Sequence, residues 1–180
     1  QGKGGIIITA HLGNWELGGA VLGLLKFPIL VVALEHKDPR VNLFFVSQRQ
    51  EKGIMVVPLG KAARQCLKKI RQNMAVALVG DRDFTEKGIV MDFFGKPAIF
   101  PEGPAVLSLA TGAPIVPGFM LRNKDDSFTF RFEPAIESLP TGDKQRDISA
   151  VISRYIAIFE TYIRQYPDQW FMFRKFWVNS

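Results

Sequence analysis

The sequence predicts an α/β fold, with a mostly parallel or mixed central sheet flanked by helices. Two observations carry this reading. Short apolar runs rich in β-branched residues recur at 6–9, 29–34, 55–58, 75–79, 115–120 and 128–132, and helical patterns separate most of them. Strands alternating with helices build a sheet with helices packed on its faces. The chain is 47% hydrophobic and 22% charged over 180 residues, which is long enough to bury a core and too apolar to be disordered. One domain over residues 1–180 is expected.

The run Gly5-Ile6-Ile7-Ile8-Thr9-Ala10 reads as a buried strand. Segment 13–25 is a short apolar helix. Together with 27–34 it approaches membrane length, but Lys26 and Pro28 interrupt it, so helix then strand is the reading. Segment 61–73 is amphipathic, with Ala63, Cys66, Leu67 and Ile70 on one face. Its other face carries Lys61, Arg64, Lys68, Lys69 and Arg71, either solvated or in contact with anionic headgroups. Pro101 or Pro104 opens a helix that ends at Gly112, following the preference for proline at helix starts and glycine at helix ends. The longest helix is predicted from 143 to 166. Its stripe of Ile148, Val151, Ile152, Tyr155, Ile156, Phe159, Tyr162 and Ile163 is core packing.

A single cysteine excludes an internal disulfide, and Cys66 sits among apolar helix residues, which suits burial better than nucleophilic chemistry. The net charge of +6 suits anionic partners such as phosphorylated substrates or anionic lipid. No secretory signal is visible, and the chain opens on Gln1 almost directly before a strand, as expected of part of a longer protein whose anchor segment lies upstream.

Four places could carry chemistry. His11, one of two histidines, follows the first strand, and Glu16 follows it by five positions. A carboxylate can hold one imidazole nitrogen as N–H while the other takes a proton, so the pair is either a general base or a satisfied structural contact. Asp81, Arg82 and Asp83 follow the buried run 75–79, at the strand end where open α/β sheets bind ligands. Arg82 could clasp a phosphate, or the three could form a turn network. In Phe100-Pro101-Glu102-Gly103-Pro104, the free N–H groups of a helix start make an anion site. Ala113-Pro114-Ile115-Val116-Pro117 is a strand bounded by prolines.

Other chemistries lack their motifs. His-x4-Glu is not a zinc-binding His-Glu-x-x-His, no Gly-Lys-Ser/Thr follows a glycine-rich loop, and no Gly-x-Ser-x-Gly elbow occurs. His36 lies in a polar turn and reads as a surface residue. The aromatics lie mostly in apolar stripes, not interleaved with arginine, which argues against nucleic acid. The aromatic and cationic end, 170–177, suits a bilayer interface, an acyl groove or a cap on the core.

The order of these elements resembles the lysophospholipid acyltransferase superfamily: His-x4-Glu, Asp-x-Asp after a strand, Phe-Phe-Gly-Lys-Pro with Phe-Pro-Glu-Gly-Pro, then Ala-Pro-Ile-Val-Pro. Asp92-Phe93-Phe94-Gly95-Lys96-Pro97 and Pro167-Asp168-Gln169-Trp170 make it similar to the lipid A biosynthesis (lauroyl and myristoyl) acyltransferase branch and to the phosphatidylinositol mannoside acyltransferases. The resemblance runs from Gly4 to Trp177. It implies a glycerol-phosphate/lysophospholipid acyltransferase-like fold and transfer of a fatty acyl chain from a thioester, acyl carrier protein or coenzyme A, to a hydroxyl of a membrane glycolipid such as a lipid A precursor. It matches His11 to the catalytic histidine and Glu16 to its partner, with Glu16 expected to fix the imidazole tautomer. Asp81, Arg82 and Asp83 match a charged motif near the active site. Glu102 and Gly103 match a phosphate-meeting motif, although Pro104-Ala105 replaces the usual Thr or Ser and Arg. It implies no cofactor or metal beyond the thioester co-substrate, and a site of action at the cytoplasmic face of the bacterial inner membrane. A lipid thioesterase and a non-catalytic basic lipid-binding domain are the alternatives.

Overall fold

A computed structural model describes residues 2–84 and 88–178. The chain begins with β1 (Gly5–Thr9), α1 (Trp15–Leu24), β2 (Ile29–Ala33), α2 (Pro39–Glu51) and β3 (Met55–Pro58). It continues with α3 (Ala62–Arg71), β4 (Ala75–Val79), and β5 (Ile89–Phe93) paired to β6 (Lys96–Phe100). It closes with α4 (Gly103–Thr111), β7 (Ile115–Arg122), β8 (Phe128–Phe132) and α5 (Lys144–Gln165). The main sheet has the order β3-β2-β4-β1-β7-β8. Its pairs are parallel except β7 with β8, so the sheet is mixed and mostly parallel as the sequence predicts.

The two faces of the sheet are covered unequally, and this positions the site. Ile6, Ile8, Leu30 and Val76 point to one side and are buried in the core with α3, α4 and α5. All eight residues of the stripe on α5 are buried there. The alternate residues Ile7, Thr9, Val31, Ala77 and Val79 face the other way and are only half-buried. Parallel sheets usually bury both faces, so this face has apolar surface left for a ligand. α1 lies along it, against β2 and β7.

Three elements differ from the sequence reading. The helix α2 has no buried residue and therefore no apolar stripe to read. Its signal is Asp38 followed by Pro39: the Asp38 carboxylate accepts from the Arg40 N–H, and proline takes the first turn. The β5–β6 hairpin turns through Phe94 and Gly95 at φ of 55° and 75°. The bulky Phe94 is held there by its N–H to Glu160 Oε1 at 2.7 Å and by the Arg164 guanidinium 4.7 Å from its ring. In α3 the buried set is Ala62, Cys66 and Ile70, so the stripe starts one residue earlier than predicted and Ala63 is exposed. The cation face of α3 is largely exposed.

The long helix is anchored at its start. Asp143 caps it, and buried Asp147 accepts from the Thr141 hydroxyl at 2.6 Å and the Thr141 N–H at 2.9 Å. The hydroxyl bond is the main cause that holds the Asp147 carboxyl below its ordinary range, and the backbone N–H adds to it. A lowered native pKa stabilises the fold above the ordinary aspartate range and stops doing so as the pH falls through the native value. Asp147→Asn therefore lowers the thermal midpoint at neutral pH. The gap from wild type narrows as the melts are repeated at progressively more acidic pH.

Candidate active site

The pairing register of β1 with β4 builds the centre of the site. Thr9 lies opposite Val79, so two residues further along each strand stand His11 and Asp81. His11 Nδ1 is 2.6 Å from Asp81 Oδ1, and the His11 backbone N–H donates to Oδ2 at 3.0 Å. Asp81 is completely buried, and a buried carboxylate needs its lone pairs filled. A third donor, the Trp170 indole N–H, reaches Oδ2 at 3.1 Å. An acceptor-only carboxylate at Nδ1 assigns the ring proton to that nitrogen and leaves Nε2 with a lone pair. The His11 side chain is 16% exposed and lies edge-on to Trp15, with ring centroids 4.8 Å apart.

Glycines allow the two strand ends to close on each other. Gly13 has φ of 64°, and a Cβ there would lie 2.1 Å from the Met120 carbonyl oxygen. The chain can therefore leave β1 and enter α1 close against β7, where Asn14 caps the helix through the Leu17 N–H. Gly80 precedes Asp81, and a Cβ there would lie 2.6 Å from Ile8 Cδ1 in the core. Gly80→Ala must displace fully buried Ile8. We expect about 1–3 kcal/mol of destabilisation, read as a lower thermal midpoint, together with reduced activity as Asp81 moves from His11.

Glu16 does not touch the histidine. It is in the first turn of α1, and its carboxylate takes two bonds from Arg49 of α2, at 3.1 Å from Nε and 2.6 Å from Nη2. The expectation that Glu16 fixes the imidazole tautomer is thus corrected: Asp81 occupies Nδ1. Four residues of spacing at a helix start turned Glu16 toward α2, and the partner was hidden on the neighbouring strand. The Glu16–Arg49 pair is bidentate, with Glu16 half exposed and Arg49 mostly covered.

His11 and Glu16 line a cavity of about 1060 Å³, at the upper end of the range for small-molecule sites. Arg82, Asp83, Glu102 and Gly103 line it too, so six of these seven residues singled out from sequence line one cavity, with Asp81 bonded to His11. Its deeper wall is apolar: Ile7, Val31 and Ala77 from the sheet, Gly18 and Leu22 from α1, and Phe130 from β8. Cys66 also lines it, but burial pushes its thiol up to about 11, which fits a packing residue. His36, read as a surface residue, is exposed, stacks on Phe45 and touches the same cavity.

Arg82 reaches from β4 to the closing segment of the chain, where Nη2 donates to the Phe171 carbonyl. Its Nε is buried and has no hydrogen-bond partner among the described residues. The Asp83 carboxylate accepts from the Gly88 N–H at 3.2 Å. Glu102 is the N-cap of α4 without a side-chain cap bond, and space above Gly103 is open.

The aromatic end divides between two of its expected roles. Trp170 and Phe176 pack on Phe93, and Phe176 on Phe100, capping the core. Phe171 packs on Trp15 beside the histidine, and Phe173 is 90% exposed. Sequence reasoning missed Arg49 and Trp170 as site residues. The one sequence signal for Trp170 was its place in Pro167-Asp168-Gln169-Trp170.

The family model for bacterial lipid A biosynthesis acyltransferases matches residues 1–179. The chain is 28% identical to a phosphatidylinositol mannoside acyltransferase of Mycolicibacterium smegmatis over 98% of its own length and 58% of that protein. The corresponding Mycobacterium tuberculosis protein is also 28% identical, over 98% of the chain and 55% of that protein. The lipid A biosynthesis palmitoleoyltransferase of Escherichia coli is 25% identical over 94% and 54%. The chain thus spans little more than half the length of the curated relatives it matches. With the family model matching residues 1–179, nearly the whole chain, the chain belongs to the bacterial lipid A biosynthesis acyltransferase family.

Proposed function

We propose that this chain is the catalytic part of an O-acyltransferase that moves a fatty acyl group from a thioester to a hydroxyl of a membrane glycolipid. The observation that carries the reading is His11 on the wall of an apolar cavity, with Nδ1 committed to buried Asp81. Nε2 takes the proton of the acceptor hydroxyl as its oxygen bonds to the thioester carbonyl carbon. A backbone N–H holds the resulting oxyanion, and Gly103, the first residue of α4, lines the cavity with its N–H available for this. Collapse breaks the carbon–sulfur bond, and the departing thiolate receives the proton from the imidazolium. A thioester is already activated, so no covalent acyl-enzyme is required.

The rest of the cavity fits the two substrates. The acyl chain takes the apolar wall between the sheet and α1. The Glu16–Arg49 pair, beside His11 in the same cavity, orients the acceptor headgroup. The Arg82 guanidinium, on the cavity lining, and the net charge of +6 suit a phosphorylated acceptor or an acidic donor, acyl carrier protein or coenzyme A. Exposed Phe84 and Phe173, with Arg174 5.9 Å from the Phe84 ring, suit contact with the cytoplasmic face of a bacterial inner membrane. Among the described residues no helix is long and apolar enough to cross a membrane.

The test is acceptor dependence. The full-length protein is supplied with acyl-carrier-protein thioesters or acyl-CoA, with and without a bacterial glycolipid extract, and thioester loss is compared with lipid mass gain. Equal amounts, seen only with lipid present, support transfer. Thioester loss to free fatty acid without lipid identifies a thioesterase and rejects this reading.

A further inference from the structure

We propose that Trp170 is a positioning residue for the His11 base, acting through Asp81; the inference rests on the reading of His11 above. Asp81 has two oxygens and, among the described residues, three donors. Oδ1 faces His11 Nδ1, while Oδ2 is fixed by the His11 backbone N–H and the Trp170 indole N–H. The backbone bond alone leaves the carboxylate free to swing about one contact. The indole bond, from the opposite end of the chain, pins the second oxygen and so aims the first at the imidazole.

The segment carrying Trp170 is itself held in register with the site. The Gln169 carbonyl accepts from the Gly13 N–H at 2.9 Å, and the Phe171 N–H donates to the His11 carbonyl at 2.8 Å. The buried Gln169 amide bonds both ways with the Arg122 backbone, each at 2.9 Å, at the end of β7. Arg82 closes the far side through the Phe171 carbonyl. The indole ring is wedged against Phe93, Phe176 and Trp177, with centroids 5.4–6.5 Å away. The N–H therefore has little freedom to leave Oδ2.

Trp170→Phe removes the N–H and keeps an aromatic ring in the slot. In the full-length protein we expect kcat to fall roughly tenfold with KM within about twofold, typical of losing a partner that orients a functional imidazole. The downfield proton resonance of His11 Nδ1–H, identified by its loss in His11→Gln, broadens. In an Asp81→Asn background, where the aimed carboxylate is already gone, Trp170→Phe costs nothing further. Unchanged kcat and an unchanged resonance in Trp170→Phe overturn the proposal. So does an equal loss in both backgrounds accompanied by a lower thermal midpoint, since that marks Trp170 as packing alone. The resonance reads geometry without any substrate. If it responds as expected while no variant or wild type acylates a lipid, the positioning role stands and the acyltransfer reading fails.

Discussion

Replacing His11 with alanine is expected, on the proposed role as base, to lower acyl transfer by about 10²–10⁴-fold, the usual contribution of a positioned base. The fold should survive. The side chain is a cavity-wall residue, 16% exposed, and not part of the core packing. Asp81 Oδ2 keeps both of its donors, the residue 11 backbone N–H and the Trp170 indole, and the imidazole vacates a place on the cavity wall where water can bond Oδ1. Donor binding along the apolar wall is also expected to persist, so the loss appears in kcat far more than in KM. Circular dichroism and a thermal melt beside the rate measurement separate chemistry from stability.

Asp81→Asn is expected to be nearly as damaging for a different reason. An asparagine has one acceptor oxygen where aspartate has two. Two N–H donors converge on Oδ2, so the amide oxygen turns toward them and the amide NH2 faces His11 Nδ1. That arrangement satisfies every group and forces the ring proton onto Nε2. The imidazole then presents N–H, not a lone pair, to the acceptor hydroxyl. A histidine held in the wrong tautomer this way loses up to ~10⁴ in turnover in the serine-protease triad. A loss of about 10²-fold or more is expected here, with the thermal midpoint little changed. Ring nitrogen chemical shifts report the tautomer directly.

The sheet was legible because most of its strands are short apolar runs, and α5 because its eight-residue stripe keeps helical spacing throughout. What periodicity could not supply was adjacency. His11 and Asp81 lie 70 residues apart, and they meet only because β4 sits beside β1. Sequence reading singled out both residues, yet joined His11 to its near neighbour Glu16. The true partner of Glu16 lies on α2, a helix with no buried residue and so without an amphipathic signature. Trp170 was hidden in the same way: nothing local to 167–170 says that its indole returns to the end of β4. The Phe94 turn also escaped, because a bulky residue at positive φ runs against local preference and is held by contacts from α5.

The proposed role of the His11–Asp81 pair in acyl transfer to a glycolipid is tested by setting full-length wild type beside His11→Ala and Asp81→Asn, each given a thioester donor and bacterial glycolipid, with the lipid mass followed over time. Wild type is expected to add one acyl chain to the lipid, and either variant to do so at no more than about a hundredth of that rate. A near-normal rate of lipid acylation in His11→Ala would contradict the proposed role.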